Sequence, residues 1–149
     1  MRREPTLRER ALRLLARREH SRSELARKLQ AHDPPPEDEL EALLDDLSKR
    51  KQLSDERYAE SRAHVLSRKF GAARIAQELR AKGVEKGLAE GAAAAARSTE
   101  VERARAVWTK KFGVAAATRE ERAKQMRFLQ SRGFSFDAIR AVIRGAGED

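Results

Sequence analysis

The sequence predicts an all-α fold of three tandem three-helix, helix-turn-helix-like repeats. Three observations carry that expectation. Leu29, Leu79 and Leu129 lie 50 residues apart in matching contexts: Leu25-Ala26-Arg27-Lys28-Leu29, Ile75-Ala76-Gln77-Glu78-Leu79 and Gln125-Met126-Arg127-Phe128-Leu129. Four residues past each leucine comes a helix stop, Asp33-Pro34, Gly83-Val84 and Gly133-Phe134. A fixed internal period decides the architecture, because each unit must bury its apolar face against its own helices and its neighbours. Secondly, no segment alternates apolar and polar residues with period two, whereas helical spacing recurs throughout. Thirdly, a chain of 149 residues that is 38% charged and 5% aromatic supplies three small cores better than one large core. The expected shape is an elongated, curved rod, which favours binding or regulation over catalysis.

The repeats are expected at residues 1–52, 53–97 and 98–149. In the first, Leu12, Leu15 and Ala16 begin an apolar stripe. Ser21 and Glu24 form a capping-box pattern, in which the Ser oxygen accepts from a backbone N–H and Glu24 reaches back. The second helix runs through Leu25 and Leu29 and stops near Asp33-Pro34-Pro35-Pro36, since proline cannot continue a helix. Leu40, Leu43, Leu44 and Leu47 mark the third helix. Its acidic first turn and basic end (Lys49, Arg50, Lys51) both suit the helix dipole.

In the second repeat a helix over about 55–69 is expected to bury Tyr58, Val65 and Leu66. Phe70-Gly71 makes the turn. A helix over 72–82 points Ile75 and Leu79 inward, with Gly83 as its left-handed stop and Val84 as the apolar lid. The helix over 85–97 is the weakest by propensity: Gly87 and Gly91 each cost about 1 kcal/mol relative to Ala, and Ala92 to Ala96 bury little. In the third repeat Thr99 with Glu102 forms a capping box, and Ala104, Val107 and Trp108 lead to Phe112-Gly113. An insertion of about eight residues follows: Phe70-Gly71 and Phe112-Gly113 are 42 apart, but Leu79 and Leu129 are 50 apart. Thr118 with Glu121 caps the next helix, with Ala123, Met126 and Leu129 inward. Ser135 caps the last, with Ile139, Val142 and Ile143 inward, and Gly145-Ala146-Gly147 reads as a frayed tail.

The net charge of +9 is unevenly spread, at +6 over residues 1–32, −6 over 33–60 and +9 over 61–149. An acidic belt (Glu37, Asp38, Glu39, Glu41, Asp45, Asp46) therefore separates two basic regions. Such a field attracts polyanions or an acidic protein groove. The absence of cysteine excludes disulfides, thiolate chemistry and Cys-based zinc sites, and fits a reducing compartment. No apolar stretch follows the basic Met1-Arg2-Arg3 start, and no run is long enough to span a bilayer. The expectation is a cytoplasmic monomer with no membrane partner and no cofactor.

No catalytic set emerges. His20, His32 and His64 are isolated, and none sits at a metal-ligand spacing. No glycine-rich phosphate loop is present, and the clustered carboxylates of 37–46 read as a solvated helix face. The sharper signals are basic. Lys124, Arg127 and Ser131 share one helix face, away from Met126 and Leu129. Arg74 and Arg80 flank the apolar stripe of the matching helix, and Lys82 lies at its end. Arg68, Lys69, Lys110 and Lys111 occupy the ends of the first helices. Basic side chains on one side of a rod can track phosphates or match carboxylates. No aromatic ladder is evident on these faces, which argues against base stacking. The Asn/Gln/Arg cluster of a sequence-reading DNA helix is thin.

Three segments carry a family resemblance. They are Leu53-Ser54-Asp55-Glu56-Arg57-Tyr58-Ala59-Glu60-Ser61, Arg68-Lys69-Phe70-Gly71, and Arg74-Ile75-Ala76-Gln77-Glu78-Leu79-Arg80-Ala81-Lys82-Gly83-Val84. Together they resemble the core of the RecX family, bacterial regulators of the RecA recombinase. Arg127-Phe128-Leu129-Gln130-Ser131-Arg132-Gly133-Phe134-Ser135-Phe136-Asp137-Ala138-Ile139 resembles that family's C-terminal segment. The resemblance implies binding along the groove of the RecA–single-stranded DNA filament. It also implies inhibition of RecA's ATP hydrolysis, strand exchange and co-protease activity, with single- and double-stranded DNA as further partners. Within the matching motifs, the RecA- or DNA-binding candidates are Arg68, Lys69, Arg74, Arg80, Lys82, Lys124, Arg127 and Arg132. The alternative is a nonspecific DNA-binding helical repeat protein that acts by coating DNA.

Overall fold

The computed structural model describes residues 3–147, so the Met1-Arg2 start and the last two residues lie outside it. Among the described residues nine α-helices follow one another: α1 (Leu7–Arg17), α2 (Arg22–Gln30), α3 (Glu37–Lys49), α4 (Asp55–Leu66), α5 (Ala72–Ala81), α6 (Lys86–Ala94), α7 (Glu100–Lys111), α8 (Arg119–Ser131) and α9 (Phe136–Gly147). A 3₁₀ turn, Arg97–Thr99, leads into α7. The helices pack three at a time around three separate cores. Leu25, Leu29, Leu40, Leu43, Leu44 and Leu47 form the first. Tyr58, Leu66, Ile75, Leu79 and Val84 centre the second. Trp108, Leu129, Phe134, Ile139 and Val142 centre the third. Leu29, Leu79 and Leu129, the three period-marking leucines, are all fully buried. The surface of 10150 Å² well exceeds the roughly 7,600 Å² that a compact monomer of this mass exposes, as an elongated row of small bundles must.

Most helix starts follow the side-chain logic of the sequence. The hydroxyls of Ser21, Thr118 and Ser135 accept from the backbone N–H groups of Glu24, Glu121 and Ala138, each at 3.1 Å. Several expectations are corrected. Glu24 does not complete a reciprocal box, because its carboxylate takes both guanidinium nitrogens of Arg18 at 3.0 and 2.7 Å. Thr99 makes no cap for α7 and instead accepts from Arg103 Nε at 3.0 Å. Helix α4 stops at Leu66, and Val65 is 46% exposed; Ala59 and Ala63 bury in its place, letting α6 approach closely. Ala11, not Ala16, is the buried alanine of α1. The alanine-rich α6 is well packed, with Ala89 and Ala93 fully buried against α4 and α5. Small side chains here buy proximity between helices, so low propensity is offset by packing. Helix α9 continues through Gly145-Ala146-Gly147, which is no frayed tail. On α8, Ala123 is only half-buried and Gln125 is the buried residue. Gln125 accepts from Trp108 Nε1 at 2.9 Å and donates to the Val114 carbonyl at 3.1 Å, tying the inserted loop to the third core.

The two joints between repeats are built alike, 50 residues apart. At the first, the Ser21 hydroxyl donates to the Lys82 carbonyl (2.8 Å) and the Arg22 N–H donates to Asp55 Oδ1 (2.7 Å). At the second, the Gly71 N–H donates to the Arg132 carbonyl (2.8 Å) and the Ala72 N–H to Glu100 Oε1 (2.8 Å). In each, the N-terminus of a middle helix, with its unpaired donors, meets the closing turn of the next middle helix and the first residue of the next repeat's first helix. Contact is tight at the glycines: a Cβ on Gly83 would lie 2.3 Å from Ser23 Oγ, and one on Gly133 2.3 Å from Arg74 Cβ. The third member of this series is Asp33, also at positive φ. Its side chain is exposed, and aspartate visits this backbone region more readily than most residues.

A titratable group precedes the joint residue Ser21. His20 is buried, with Nδ1 3.0 Å from the Arg18 carbonyl and Nε2 2.9 Å from Lys28 Nζ. That geometry fits the neutral ring, donating through Nδ1 and accepting at Nε2. Burial pushes the imidazole below its ordinary value; the Arg18 carbonyl opposes this, and the charges of Lys28 and Arg18 add to it. For Glu24, burial raises the carboxyl, but the Arg18 hydrogen bonds and nearby cations outweigh it and leave it lowered. Both groups therefore bind fewer protons folded than unfolded, and stability falls on acidification. The His20 contribution is present above the unfolded value near 6.5 and is lost as pH drops below it. The Glu24 contribution goes at lower pH, as the carboxylate protonates. Thermal melts between pH 7.5 and 5.5 should show a falling midpoint, and His20→Gln should flatten that dependence; an equal slope in both proteins would assign it elsewhere.

Candidate functional site

The eight candidate cations fall on two joints and one helix face. Arg68 and Lys69 sit in the exposed turn after α4, and Arg74 lies in the first turn of α5. Arg80 and Lys82 lie at the other end of α5, beside the first joint. Lys124 and Arg127 are exposed on α8, and Arg132 closes that helix as its C-cap. Helix α5 spans from one joint to the other, so the two groups are separated by about 15 Å, ten residues at 1.5 Å each.

At the second joint the structure assembles something the sequence did not show. The Arg74 guanidinium lies 4.8 Å from the Phe70 ring centroid. Arg132 lies over two rings, 5.6 Å from Phe70 and 5.1 Å from Phe128. Lys111 approaches Phe128 at 5.5 Å, and Phe112 meets Phe128 edge-on at 5.5 Å. Phe70 and Phe128 are half-buried beneath these cations, an arrangement that sequence spacing did not reveal. Phe70 and Phe128 belong to different repeats, and Arg132 bridges them at the joint. Guanidinium groups stack favourably on ring faces, which fixes their plane while leaving their edge N–H donors available.

Ion pairing separates the two ends of the chain. Seven of the eight salt bridges among the described residues lie within residues 3–57. Arg22 pairs with Glu41 and Asp45, and Arg8 and Arg50 share Asp46, so half of the acidic belt of α3 is engaged by repeat 1's own arginines. Beyond residue 57 the only pair among the described residues is Arg74–Glu78 at 3.1 Å. Arg74 also donates to the Ser131 carbonyl at 3.0 Å and packs against Gly133, so it serves the joint itself. The other seven candidates have no salt bridge among the described residues. The basic excess of the second and third repeats is therefore displayed to solvent.

A further cation escaped the sequence-based selection. Arg103 of α7 is half-buried and donates to three carbonyls: Ser67 at 2.7 Å, Phe70 at 2.6 Å and Ala96 at 2.6 Å. Burial lowers its pKa, and the Glu100 carboxylate works against that. It ties the ends of α4 and α6 to the third repeat and holds the turn that presents Arg68, Lys69 and Phe70. No local signal marks it; its partners are main-chain atoms brought in by the fold.

Nothing among the described residues gathers three His, Cys, Asp or Glu side chains in a metal-holding group. His20 is buried within the first repeat, against Arg18 and Lys28, while His32 and His64 are exposed. No helix among the described residues is long and apolar enough to cross a membrane.

Comparison with known proteins agrees with this architecture. The profiles of the first, second and third three-helix domains of RecX match residues 8–47, 54–92 and 98–143. Regulatory protein RecX of Leptothrix cholodnii is 50% identical over 144 residues, covering 97% of this chain and 91% of that protein. Its counterpart in Herminiimonas arsenicoxydans is 47% identical, covering 97% and 95%. The crystal structure of RecX from Lactobacillus salivarius superposes with a TM-score of 0.82 at 23% identity, over 96% of each chain. Three domain matches in order, near-full-length relatives and a shared fold lead to one conclusion: this chain belongs to the RecX family of regulatory proteins.

Proposed function

We propose that this protein is a negative regulator of RecA. It binds in the groove of the RecA–single-stranded DNA filament and inhibits ATP hydrolysis, strand exchange and co-protease activity, and so modulates DNA repair and the SOS response. The observation that carries the proposal is the set of cations on the second and third repeats that form no salt bridge among the described residues, carried on an elongated row of bundles. Arg68, Lys69, Arg80, Lys82, Lys124, Arg127 and Arg132 make the contacts to phosphate or to acidic recombinase loops. Arg74 acts indirectly, by holding the joint. Regulation of this kind requires no active site, because a ligand that prefers one filament state shifts the population by that preference alone. The protein works as a cytoplasmic monomer without catalysis of its own.

The test is a titration of RecA's single-stranded-DNA-dependent ATPase, with an unrelated DNA-dependent ATPase as control. Loss of RecA activity at substoichiometric protein, with the control spared, supports regulation of the filament. Loss of both in proportion to DNA coverage favours a DNA-coating protein, a reading that the same unpaired cations support. Charge reversal at Lys124→Glu and Arg127→Glu should weaken filament inhibition more than bare DNA binding. Both losses should shrink with added salt, since phosphate contacts release counterions. Equal losses in the two assays would shift the case to coating.

A further inference from the structure

A groove runs along the middle repeat between α4 and α6, with a volume of about 710 Å³. Ala59, Ala63, Leu88, Gly91, Ala92 and Ala95 line its floor. Leu88 is 37% exposed, and no heavy atom lies within 4 Å of where a Gly91 Cβ would stand. Glycine weakens a helix interior relative to alanine, and no contact inside this molecule requires it at 91. Glu56 and Glu60 stand on the rim, exposed and in no salt bridge among the described residues. The groove's end is fixed by Arg103, which draws the Ser67 and Ala96 carbonyls together from its two walls. Ser67 of that wall is followed directly by Arg68 and Lys69, so the groove is continuous with the proposed contact face.

We propose that this groove receives a short amphipathic helix of the recombinase. That helix lays a face of small apolar side chains over Leu88 and Gly91 and sets flanking lysine or arginine residues against Glu56 and Glu60. Two features select this occupant. A floor of Gly and Ala admits a helix backbone closely, as small residues do between α4 and α6 themselves. The carboxylate rim, on a chain of net charge +9, repels nucleic acid and attracts a basic segment. The proposal rests on the RecA reading above and names the part of the partner that fills this face.

The chain has no cysteine, so a single engineered thiol can be labelled at one place. Gly91→Cys and Ser131→Cys, each carrying a short photo-crosslinker, are irradiated on preassembled RecA–single-stranded DNA filaments, and the joined peptides are mapped. The expected result is that the probe at 91 joins a helical RecA segment bearing Lys or Arg, while the probe at 131, beside Lys124 and Arg127, also reaches the filament. In parallel, Gly91→Trp fills the groove and should raise the concentration for half-inhibition of the RecA ATPase about tenfold, the effect of losing a central contact. Its melting temperature should be no lower than the parent's, because Trp has the higher helix propensity. Glu56→Lys with Glu60→Lys should act in the same direction. Crosslinking to RecA at 131 but not at 91, or unchanged inhibition by Gly91→Trp, overturns the groove proposal and leaves the RecA reading standing. Crosslinking at 91 to DNA overturns it too. Absence of RecA crosslinks at both positions, with no inhibition by the parent, overturns both.

Discussion

Replacing Gly133 with alanine should separate the third repeat from the second. The residue has φ +83, a conformation that strains any side chain, and its Cβ would lie 2.3, 2.6 and 2.9 Å from Arg74 Cβ, N and Cα. The neighbour is largely main chain at the start of α5, so it cannot swing aside. Backbone strain alone costs about 1–2 kcal/mol. Forcing the joint apart also loses the Gly71 N–H bond to the Arg132 carbonyl at 2.8 Å and the Arg74 bond to the Ser131 carbonyl at 3.0 Å. The total expected loss is about 3–5 kcal/mol, at the severe end for one substitution. Gly113 supplies the control. Its φ is +70, and its added Cβ meets only the Thr109 carbonyl, at 3.1 Å, so Gly113→Ala should cost little more than the strain. Thermal and urea melts of the two variants decide the matter. A fall of equal size in both would mean that the close joint contact contributes nothing. The cation–aromatic row of Phe70, Phe128 and Arg132 spans the same joint, so Gly133→Ala should also impair any function of that face.

Arg103→Ala should destabilise the protein by about 2–4 kcal/mol, because hydrogen bonds from a charged group are each stronger than neutral ones and three acceptors lose their donor together. The three carbonyls lie at 2.6–2.7 Å from two guanidinium nitrogens. Arg103→Lys should recover less than half of the loss. An ammonium keeps the charge but is a point donor, without the planar fork that reaches the Ser67, Phe70 and Ala96 carbonyls at once. Hydrogen exchange adds a local readout. Amides of the turn 67–71 and the end of α6 should exchange faster in Arg103→Ala, while those of α2 and α3 stay protected. Full rescue by lysine would show that charge alone matters and that the fork geometry does not.

These two residues mark the boundary of what could be read without the fold. Gly133 was legible: the 50-residue period placed it in series with Asp33 and Gly83, and a glycine after an apolar helical stripe announces a left-handed stop. Its contact with Arg74 was not legible, since the two are 59 residues apart. Arg103 gave no signal, being one arginine among many on an amphipathic helix. The cations of the candidate face could be picked by type and by their place in a familiar motif. Which of them were already paired depended on tertiary neighbours, and the structure put Arg74 into the joint and left Arg132 resting on two rings. Val65 and Ala123 went astray for a related reason. Apolar character and helical phase predict the inward face only to within a residue or so, and close approach of α6 chose Ala59 and Ala63 over Val65.

The sequence by itself therefore determined the class, the repeat, most of the helices and half of their side-chain caps. These follow from i, i+3, i+4 spacing, from side-chain oxygens that reach a backbone N–H three residues on, and from proline and glycine, all of which act within one or two turns of chain. The tertiary structure alone decided how the repeats join and which charges stay free. Those depend on contacts between residues tens of positions apart, such as Ser21 with Lys82, Glu100 with Ala72 and Phe70 with Arg132. Their geometry comes from three-dimensional packing, and local spacing contains no record of it.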